Sequence, residues 1–231
     1  MNKRIISIIP ARGGSKGVPR KNMILIAGKP LIAWTIIASL GSKFINRTIV
    51  SSDNNEILQI SKKFGAETIK RPKVLASDKA LSPPIITHVL SYLKKKENYI
   101  PDIIVFLQPT SPLRDSGDID QAIKMLFKNL KDTAVISVLE TEHSPLKTFS
   151  INKKGYLKGI INNKYPFMRR QDLPTYYLHN GAIYVILTKS FLRKKSFITK
   201  RTLPFIMGLV KSKQIDTFQD IVEIRKILNK K

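Results

Sequence analysis

Short apolar runs alternate with amphipathic segments over the first 140 residues. The apolar runs are rich in Ile, Val and Leu, as in buried parallel strands, and each is followed by a polar cluster. Between them, apolar residues recur at helical spacing, for example Ile57 and Ile60. The pattern predicts strands over 4–9, 48–50, 67–69, 103–107 and 134–139, and helices over 31–40, 55–64, 85–96 and 118–130.

This alternation breaks after residue 140. Segment 145–178 is rich in Gly, Asn, Pro and basic residues and has little apolar periodicity, so we interpret it as an insertion. Strands are predicted again over 182–187 and 205–210, and a helix over 217–228. Repeated strand–helix units predict an α/β fold with a mostly parallel sheet flanked by helices. Since no repeat or low-complexity linker divides the chain, we predict one domain over 1–231.

Composition narrows the functional classes. The chain has 231 residues and no cysteine, which excludes disulfides, Cys-based zinc sites and Cys nucleophiles. It has no run of about 18 apolar residues, and its N-terminal segment lacks the features of a signal peptide. We therefore expect a cytoplasmic protein with no membrane partner.

The sequence is strongly basic. It has 41 Lys and Arg residues and 16 Asp and Glu residues, which gives a formal net charge of +25. Such a balance favours anionic partners, among them nucleic acids and phosphorylated small molecules. The alternative is compositional drift, because the chain is also rich in Ile and Asn and its lysines lie in short solvated clusters. Aromatic residues do not interleave with the basic stretches, so we expect no nucleic-acid partner.

A glycine-rich basic loop follows the first predicted strand. Ligands of open parallel sheets bind beyond the carboxyl ends of the strands, which is where this loop lies. Glycines allow the backbone to approach an anion closely, and flanking cations add charge. The spacing matches neither the Walker A loop nor the dinucleotide fingerprint. We predict a triphosphate-binding loop that contains Arg12, Gly13, Gly14, Ser15, Lys16, Gly17, Arg20 and Lys21.

The loop sequence PARGGSKGVPRKN resembles the N-terminal signature of the CMP-sialic acid synthetases, the acylneuraminate cytidylyltransferases. Further segments match that family in order over roughly residues 4–222. They are SSD at 51–53, RP at 71–72 with ASD at 76–78, LQPTSPLR at 107–114, RRQD at 169–172 and NGAIY at 180–184.

This resemblance implies a Rossmann-like nucleotidyltransferase with a dimerisation insertion, and it assigns 145–178 as the dimerisation and sugar-site element. It also implies a homodimer that transfers CMP from CTP to the anomeric hydroxyl of a nine-carbon 2-keto sugar acid, releasing pyrophosphate with Mg²⁺. The alternatives are another acidic sugar, namely pseudaminate, legionaminate or, least favoured, Kdo. A degenerate, non-catalytic binder of sugar nucleotides or nucleic acid is a further alternative.

The family's nucleotide-binding residues fall on Arg12, Asn22, Arg71, Ser82 and Gln108. Arg12 and Lys16 are the predicted catalytic cations, which would stabilise the departing pyrophosphate. Ser82 alone could equally be a helix cap ahead of two prolines. We expect Arg114 to fix the loop after Gln108 rather than to contact substrate.

Two further assignments rest on the resemblance. Arg169 corresponds to an active-site arginine that faces the sugar, with Arg170 and Gln171 as its neighbours; a guanidinium suits a sugar carboxylate. The family's metal motif Asp-x-Asp-Thr reads Gln214-Ile-Asp216-Thr here, so Asp216 and Gln214 are the predicted Mg²⁺ residues. The alternative for Asp216 is a helix N-cap.

Overall fold

A seven-stranded sheet forms the centre of the molecule in this computed structural model, which describes residues 3–15, 17–77, 80–129 and 133–229. The strands are β1 (Ile5–Pro10), β2 (Leu25–Ile26), β3 (Lys29–Pro30), β4 (Arg47–Ser52), β5 (Glu67–Lys70), β6 (Ile103–Phe106), β7 (Thr133–Glu140), β8 (Phe149–Ile151), β9 (Leu157–Gly159), β10 (Tyr177–Leu187) and β11 (Arg201–Ile206). The helices are α1 (Leu31–Leu40), α2 (Asn55–Lys63), α3 (Ser82–Glu97), α4 (Ser116–Phe127), α5 (Thr188–Lys194) and α6 (Phe218–Leu228).

The sheet order is β11-β7-β10-β6-β1-β4-β5. Strands β6, β1, β4 and β5 run parallel, as do β11 and β7, whereas β10 lies antiparallel to both of its neighbours. The prediction of a mostly parallel sheet flanked by helices is therefore confirmed. The parallel arrangement brings the carboxyl ends of β1, β4, β5 and β6 to one edge, where the polar clusters of the sequence meet.

Each strand and helix predicted before residue 140 is present, with ends shifted by a few residues. Beyond that point the strand predicted over 205–210 is wrong in position, because β11 spans Arg201–Ile206 in register with β7. Its Pro204 is tolerated because β11 is an edge strand. Helix α5 was not predicted, since its sequence TKSFLRK is mostly polar and only Phe191 among its apolar residues is fully buried.

Helix capping corrects two expectations. Asp115 caps α4 in a reciprocal pair with Asp118. Thr217 caps α6 in a similar pair with Asp220, so Asp216 is not the helix cap. Ser82 is the first residue of α3 and makes no side-chain cap bond.

Two apolar layers cover the faces of the sheet. One contains Ile36, Ile57 and Ile123 from α1, α2 and α4, and the other contains Val89 and Phe191 from α3 and α5. A third, smaller cluster packs α6 against the residues around the glycine-rich loop, through Val18, Leu31, Leu113, Ile215, Ile221 and Ile224. This cluster holds the C-terminal segment beside the loop. Within the described ranges, every helix is too short or too polar to cross a membrane.

The insertion 145–178 leaves the sheet as the β8–β9 hairpin and three short 3-10 helices, Pro145–Lys147, Tyr165–Phe167 and Arg170–Asp172. Several of its apolar side chains are exposed, with Phe167 at 81% and Ile151 at 72%. A role in dimerisation and the single-domain assignment stay predictions.

Candidate active site

A cleft of about 340 Å³ lies beyond the carboxyl ends of the parallel strands. Arg12 follows β1, Arg71 follows β5 and Gln108 follows β6, so the topology alone brings these three side chains together. Seven of the predicted site residues line this cleft, namely Arg12, Ser15, Lys21, Asn22, Arg71, Gln108 and Asp216. The lining is Pro10, Arg12, Ser15, Lys21, Asn22, Arg71, Ile85, Gln108, Pro109, Thr110 and Asp216.

Internal hydrogen bonds hold the glycine-rich loop. The Asn22 side-chain amide donates to the carbonyl oxygen of Arg12 at 3.0 Å. The Gly13 N–H donates to Asp53 Oδ1 at 3.0 Å. This amide is therefore engaged within the protein and is not available to the predicted triphosphate. A Cβ added at Gly14 would have no atom of the described residues within 4 Å. Gly17 lies against the backbone of Asp216: an added Cβ would sit 2.5 Å from its carbonyl oxygen.

Arg71 is the most unusual group in the cleft. Its side chain is 2% exposed, and its Nη2 lies 4.0 Å from Oδ1 of Asp53. Its Nε and Nη1 have no hydrogen-bond partner among the described residues. Burial lowers the pKa of Arg71, and the charge of Arg12 lowers it further, although Asp53 opposes both. Buried donors normally have partners, so these groups indicate a site for an acceptor-rich ligand.

A buried arginine fixes the wall around Gln108, as the sequence predicted. Arg114 donates to the carbonyl oxygens of Gln108 at 3.2 Å and Ala182 at 2.8 Å, and to Thr35 Oγ1 at 2.6 Å. Burial lowers the pKa of Arg114 to about 9. The Gln108 side chain itself packs on Gly181, whose φ is +67° and whose added Cβ would lie 2.6 Å from Gln108 Oε1. A larger residue at 181 would displace Gln108.

The C-terminal wall of the cleft is formed by the segment before α6. Lys21 Nζ donates to the Ile215 carbonyl oxygen at 2.7 Å and to Asp216 Oδ1 at 3.0 Å. Gln214 is not among the lining residues, because its amide donates to the carbonyl oxygen of Asn180. Asp220 accepts the N–H groups of Asp216 and Thr217, and these bonds lower its pKa against the opposing effect of burial. No group of three or more metal-ligating side chains occurs in the described part of the chain.

The remaining predicted residues lie elsewhere. Ser82 is half-buried at the start of α3, one turn before the cleft-lining Ile85. Arg169 is 75% exposed and bonds Asp172 at 2.9 Å, and Arg170 lines a separate cavity of about 350 Å³ with Glu140 and Met207. The exposed Gln171 also lies outside the lining set. Lys16, Asp78 and residue 130, the expected end of the fourth helix, fall outside the described residues.

Two residues near Arg71 were not among the predicted binding or catalytic residues, although the sequence singled out the SSD segment that contains the first of them. Asp53, in the SSD segment, joins the glycine-rich loop to Arg71, and its place directly after a buried strand was the available signal. His88 has a buried Nδ1 with no partner among the described residues. Burial lowers its pKa and the charge of Arg71 lowers it further. Nothing in the local sequence around His88 indicates this proximity to Arg71.

Comparisons with known proteins agree with this fold. Residues 6–230 match the family described as Cytidylyltransferase, and the chain belongs to that family. It is 34% identical to an N-acylneuraminate cytidylyltransferase of Escherichia coli O18:K1:H7, over 95% of this chain and 51% of that protein. The resemblance to the CMP-sialic acid synthetases is thereby confirmed. The chain spans about half the length of the curated N-acylneuraminate relatives it matches.

Two other matches place the chain more broadly. A pseudaminic acid cytidylyltransferase of Campylobacter jejuni is 32% identical over 97% of this chain and 96% of its own length. A solved structure of a CMP:2-keto-3-deoxy-manno-octonic acid synthetase complexed with CTP superposes with a TM-score of 0.71, covering 98% of this chain and 99% of that one. Its identity of 17% supports the fold alone.

Proposed function

We propose that this protein transfers CMP from CTP to the anomeric hydroxyl of a nonulosonic, sialic-acid-like sugar acid and releases pyrophosphate. The observation that carries the proposal is the buried Arg71, which lines the cleft between the glycine-rich loop and Gln108 and has two donors without a partner among the described residues. Membership of the cytidylyltransferase family supports the choice of nucleotide.

The roles of the lining residues follow from their positions. Arg12 and Lys21 belong to the glycine-rich loop and would contact the triphosphate, while Asn22, Arg71 and Gln108 would hold the cytidine. The sugar hydroxyl oxygen would form a bond to the α-phosphorus as the bond from that phosphorus to the α,β-bridging oxygen breaks. Pyrophosphate would leave with the bridging oxygen, and the hydroxyl proton would pass to water. Phosphoryl and nucleotidyl transfers need in-line positioning and charge stabilisation more than covalent chemistry from the protein. A cleft lined by Arg12, Lys21 and Arg71 supplies both.

The donor set suits Mg²⁺, which is commonly held by one or two carboxylates together with phosphate oxygens. Asp216 lines the cleft with a side chain that is 70% exposed. It would hold the ion with the triphosphate, and bound Mg²⁺ would neutralise charge on the phosphates. Gln214 would have to leave the Asn180 carbonyl oxygen to contribute its own amide oxygen.

The sugar site is proposed to need two copies of the chain. Arg169, Arg170 and Gln171 lie on the insertion and do not line the nucleotide cleft. We infer that the insertion of one protomer carries these residues to the cleft of its partner in a homodimer, where a guanidinium would bind the sugar carboxylate. The relatives act on different sugars by name, so pseudaminate and legionaminate stay alternatives to sialic acid.

Pyrophosphate release tests the proposal. The purified protein with CTP and Mg²⁺ is assayed against N-acetylneuraminate, pseudaminate, legionaminate and Kdo. We expect turnover with at least one nine-carbon acid and little with the eight-carbon Kdo. Saturable CTP binding without turnover on any acid would instead favour the degenerate, non-catalytic binder.

A further inference from the structure

Lys21 is held inside the cleft with both of its acceptors on one segment. Its side chain is 11% exposed, and Nζ donates to the Ile215 carbonyl oxygen at 2.7 Å and to Asp216 Oδ1 at 3.0 Å. The ammonium is thus the direct counter-ion of the Asp216 carboxylate. Because the lysine stem is buried, the pair has a defined position rather than that of a mobile surface contact.

The Asp216 backbone is fixed on several sides. Its carbonyl oxygen packs on Gly17, and its N–H donates to Asp220 at 2.9 Å. The preceding Ile215 N–H donates to the Thr110 carbonyl oxygen at 2.8 Å. With the backbone held in this way, a change of partner at the Asp216 carboxylate requires only side-chain movement by Asp216 or Lys21.

Charge decides which partner the carboxylate has. Asp216 provides the one carboxylate among the described residues lining the cleft, whereas Arg12, Lys21 and Arg71 provide three cations. A divalent cation at Asp216 would lie close to the Lys21 ammonium, and like charges at such separations repel. A triphosphate reverses this balance, because its oxygens offer Lys21 another partner and offset both cations.

We propose that Lys21 acts as an internal cation that occupies Asp216 in the empty cleft and moves to the triphosphate when nucleotide binds. Asp216 then becomes available to a divalent metal ion only after, or together with, the nucleotide. This inference rests on the proposed function for the identity of the nucleotide and metal. It assigns Lys21 a second role, that of coupling the two binding events. The coupling is reciprocal: metal strengthens nucleotide binding by the same factor.

Manganese binding to the nucleotide-free protein tests this, with free Mn²⁺ measured by electron paramagnetic resonance. The variant Lys21→Gln loses the charge while its amide can still donate to the Ile215 carbonyl oxygen. We expect Lys21→Gln to bind Mn²⁺ at least about threefold more tightly than wild type without nucleotide, since one nearby positive charge is removed. The gain should vanish in the double variant Lys21→Gln/Asp216→Asn.

A matched control is Lys213→Gln. Lys213 also pairs with a carboxylate, since its Nζ lies 2.6 Å from Oε1 of Glu223. The variant should bind Mn²⁺ as wild type does. Equal Mn²⁺ affinity of wild type and Lys21→Gln, with both folded by circular dichroism, would overturn the proposal, as would an equal gain in Lys213→Gln. The measurement uses no sugar acid and no turnover, so it can fail while the cytidylyltransferase assay succeeds, and the reverse.

Discussion

Gly17 and Asp216 lie in backbone contact across 199 positions of sequence, such that a Cβ at residue 17 would lie 2.5 Å from the Asp216 carbonyl oxygen. The contact joins the glycine-rich loop to the segment before α6. Residue 17 is a glycine because there is no room for a side chain, not because its backbone conformation requires one. The neighbouring atom is a main-chain oxygen, which cannot rotate away as a side chain could.

Gly17→Ala is therefore expected to destabilise the fold by about 1–3 kcal/mol, the usual cost of overpacking a close contact. For a chain of this size, the unfolding midpoint would fall by roughly 2–4 °C per kcal/mol. Gly14→Ala is the matched control from the same loop, because no atom of the described residues lies within 4 Å of its added Cβ. Thermal unfolding by circular dichroism distinguishes the two, and equal midpoints would contradict the contact.

His88 predicts a dependence of stability on pH. Burial and then the charge of Arg71 lower its pKa below the usual 6.5, so the unfolded chain binds a proton more readily than the folded one. The free energy of unfolding therefore decreases as pH falls below about 6.5. Between about pH 7.5 and about pH 5.5, His88→Gln should lose less of this free energy than wild type does. Urea unfolding at both pH values measures this. The exposed His143 gives the control His143→Gln, which should follow the wild-type curve.

The insertion predicts a dimer in solution. Phe167 and Ile151 are exposed on it, and apolar groups clustered on a surface commonly mark an interface. We expect light scattering at micromolar protein to give twice the chain mass. Phe167→Ser/Ile151→Ser should give a monomer, whereas Val74→Ser, at a residue 75% exposed outside the insertion, should remain dimeric. A monodisperse wild-type monomer would refute the assignment.

Gln214 predicts a raised magnesium requirement. Its amide donates to the Asn180 carbonyl oxygen, a bond that a carboxylate cannot make. In Gln214→Asp the Asn180 carbonyl oxygen would repel the new carboxylate, which should turn towards the cleft and serve as a second ligand for Mg²⁺. The Mg²⁺ concentration for half-maximal rate should therefore fall. Asp216→Asn should nearly abolish the rate while CTP binding persists through the loop cations. Wild-type rate and metal dependence in Asp216→Asn would exclude a metal role for Asp216.

The sheet was predictable because its strands are short, apolar and followed by polar residues. The last strand, β11, is an exception, because pairing with its neighbour and not the apolar pattern sets its position. Its register with β7 places Arg201 opposite Thr133, so β11 begins before the apolar run from which the strand was predicted. Helix α5 escaped prediction because its buried surface comes mainly from Phe191, which gives no periodicity over seven residues.

The cleft was predictable as far as each residue follows a strand, as Arg12, Arg71 and Gln108 do. Contacts between distant segments were not. The bond from Gly13 to Asp53 and the packing of Gln108 on Gly181 depend on how the loops meet in space. The separation of Gln214 from Asp216 was likewise not predictable, because the first donates to the Asn180 carbonyl oxygen and the second accepts from Lys21.

Nucleotide selectivity measures the central claim most directly. Pyrophosphate release is followed with CTP, UTP, ATP and GTP under identical conditions, with the best sugar acid and Mg²⁺ held constant. Asn22, Arg71 and Gln108 should favour CTP strongly, because a wrong base would leave buried donors such as those of Arg71 unpaired. A kcat/KM for CTP far above that for the other three nucleotides is the expected result, and equal turnover with ATP or GTP would contradict the account.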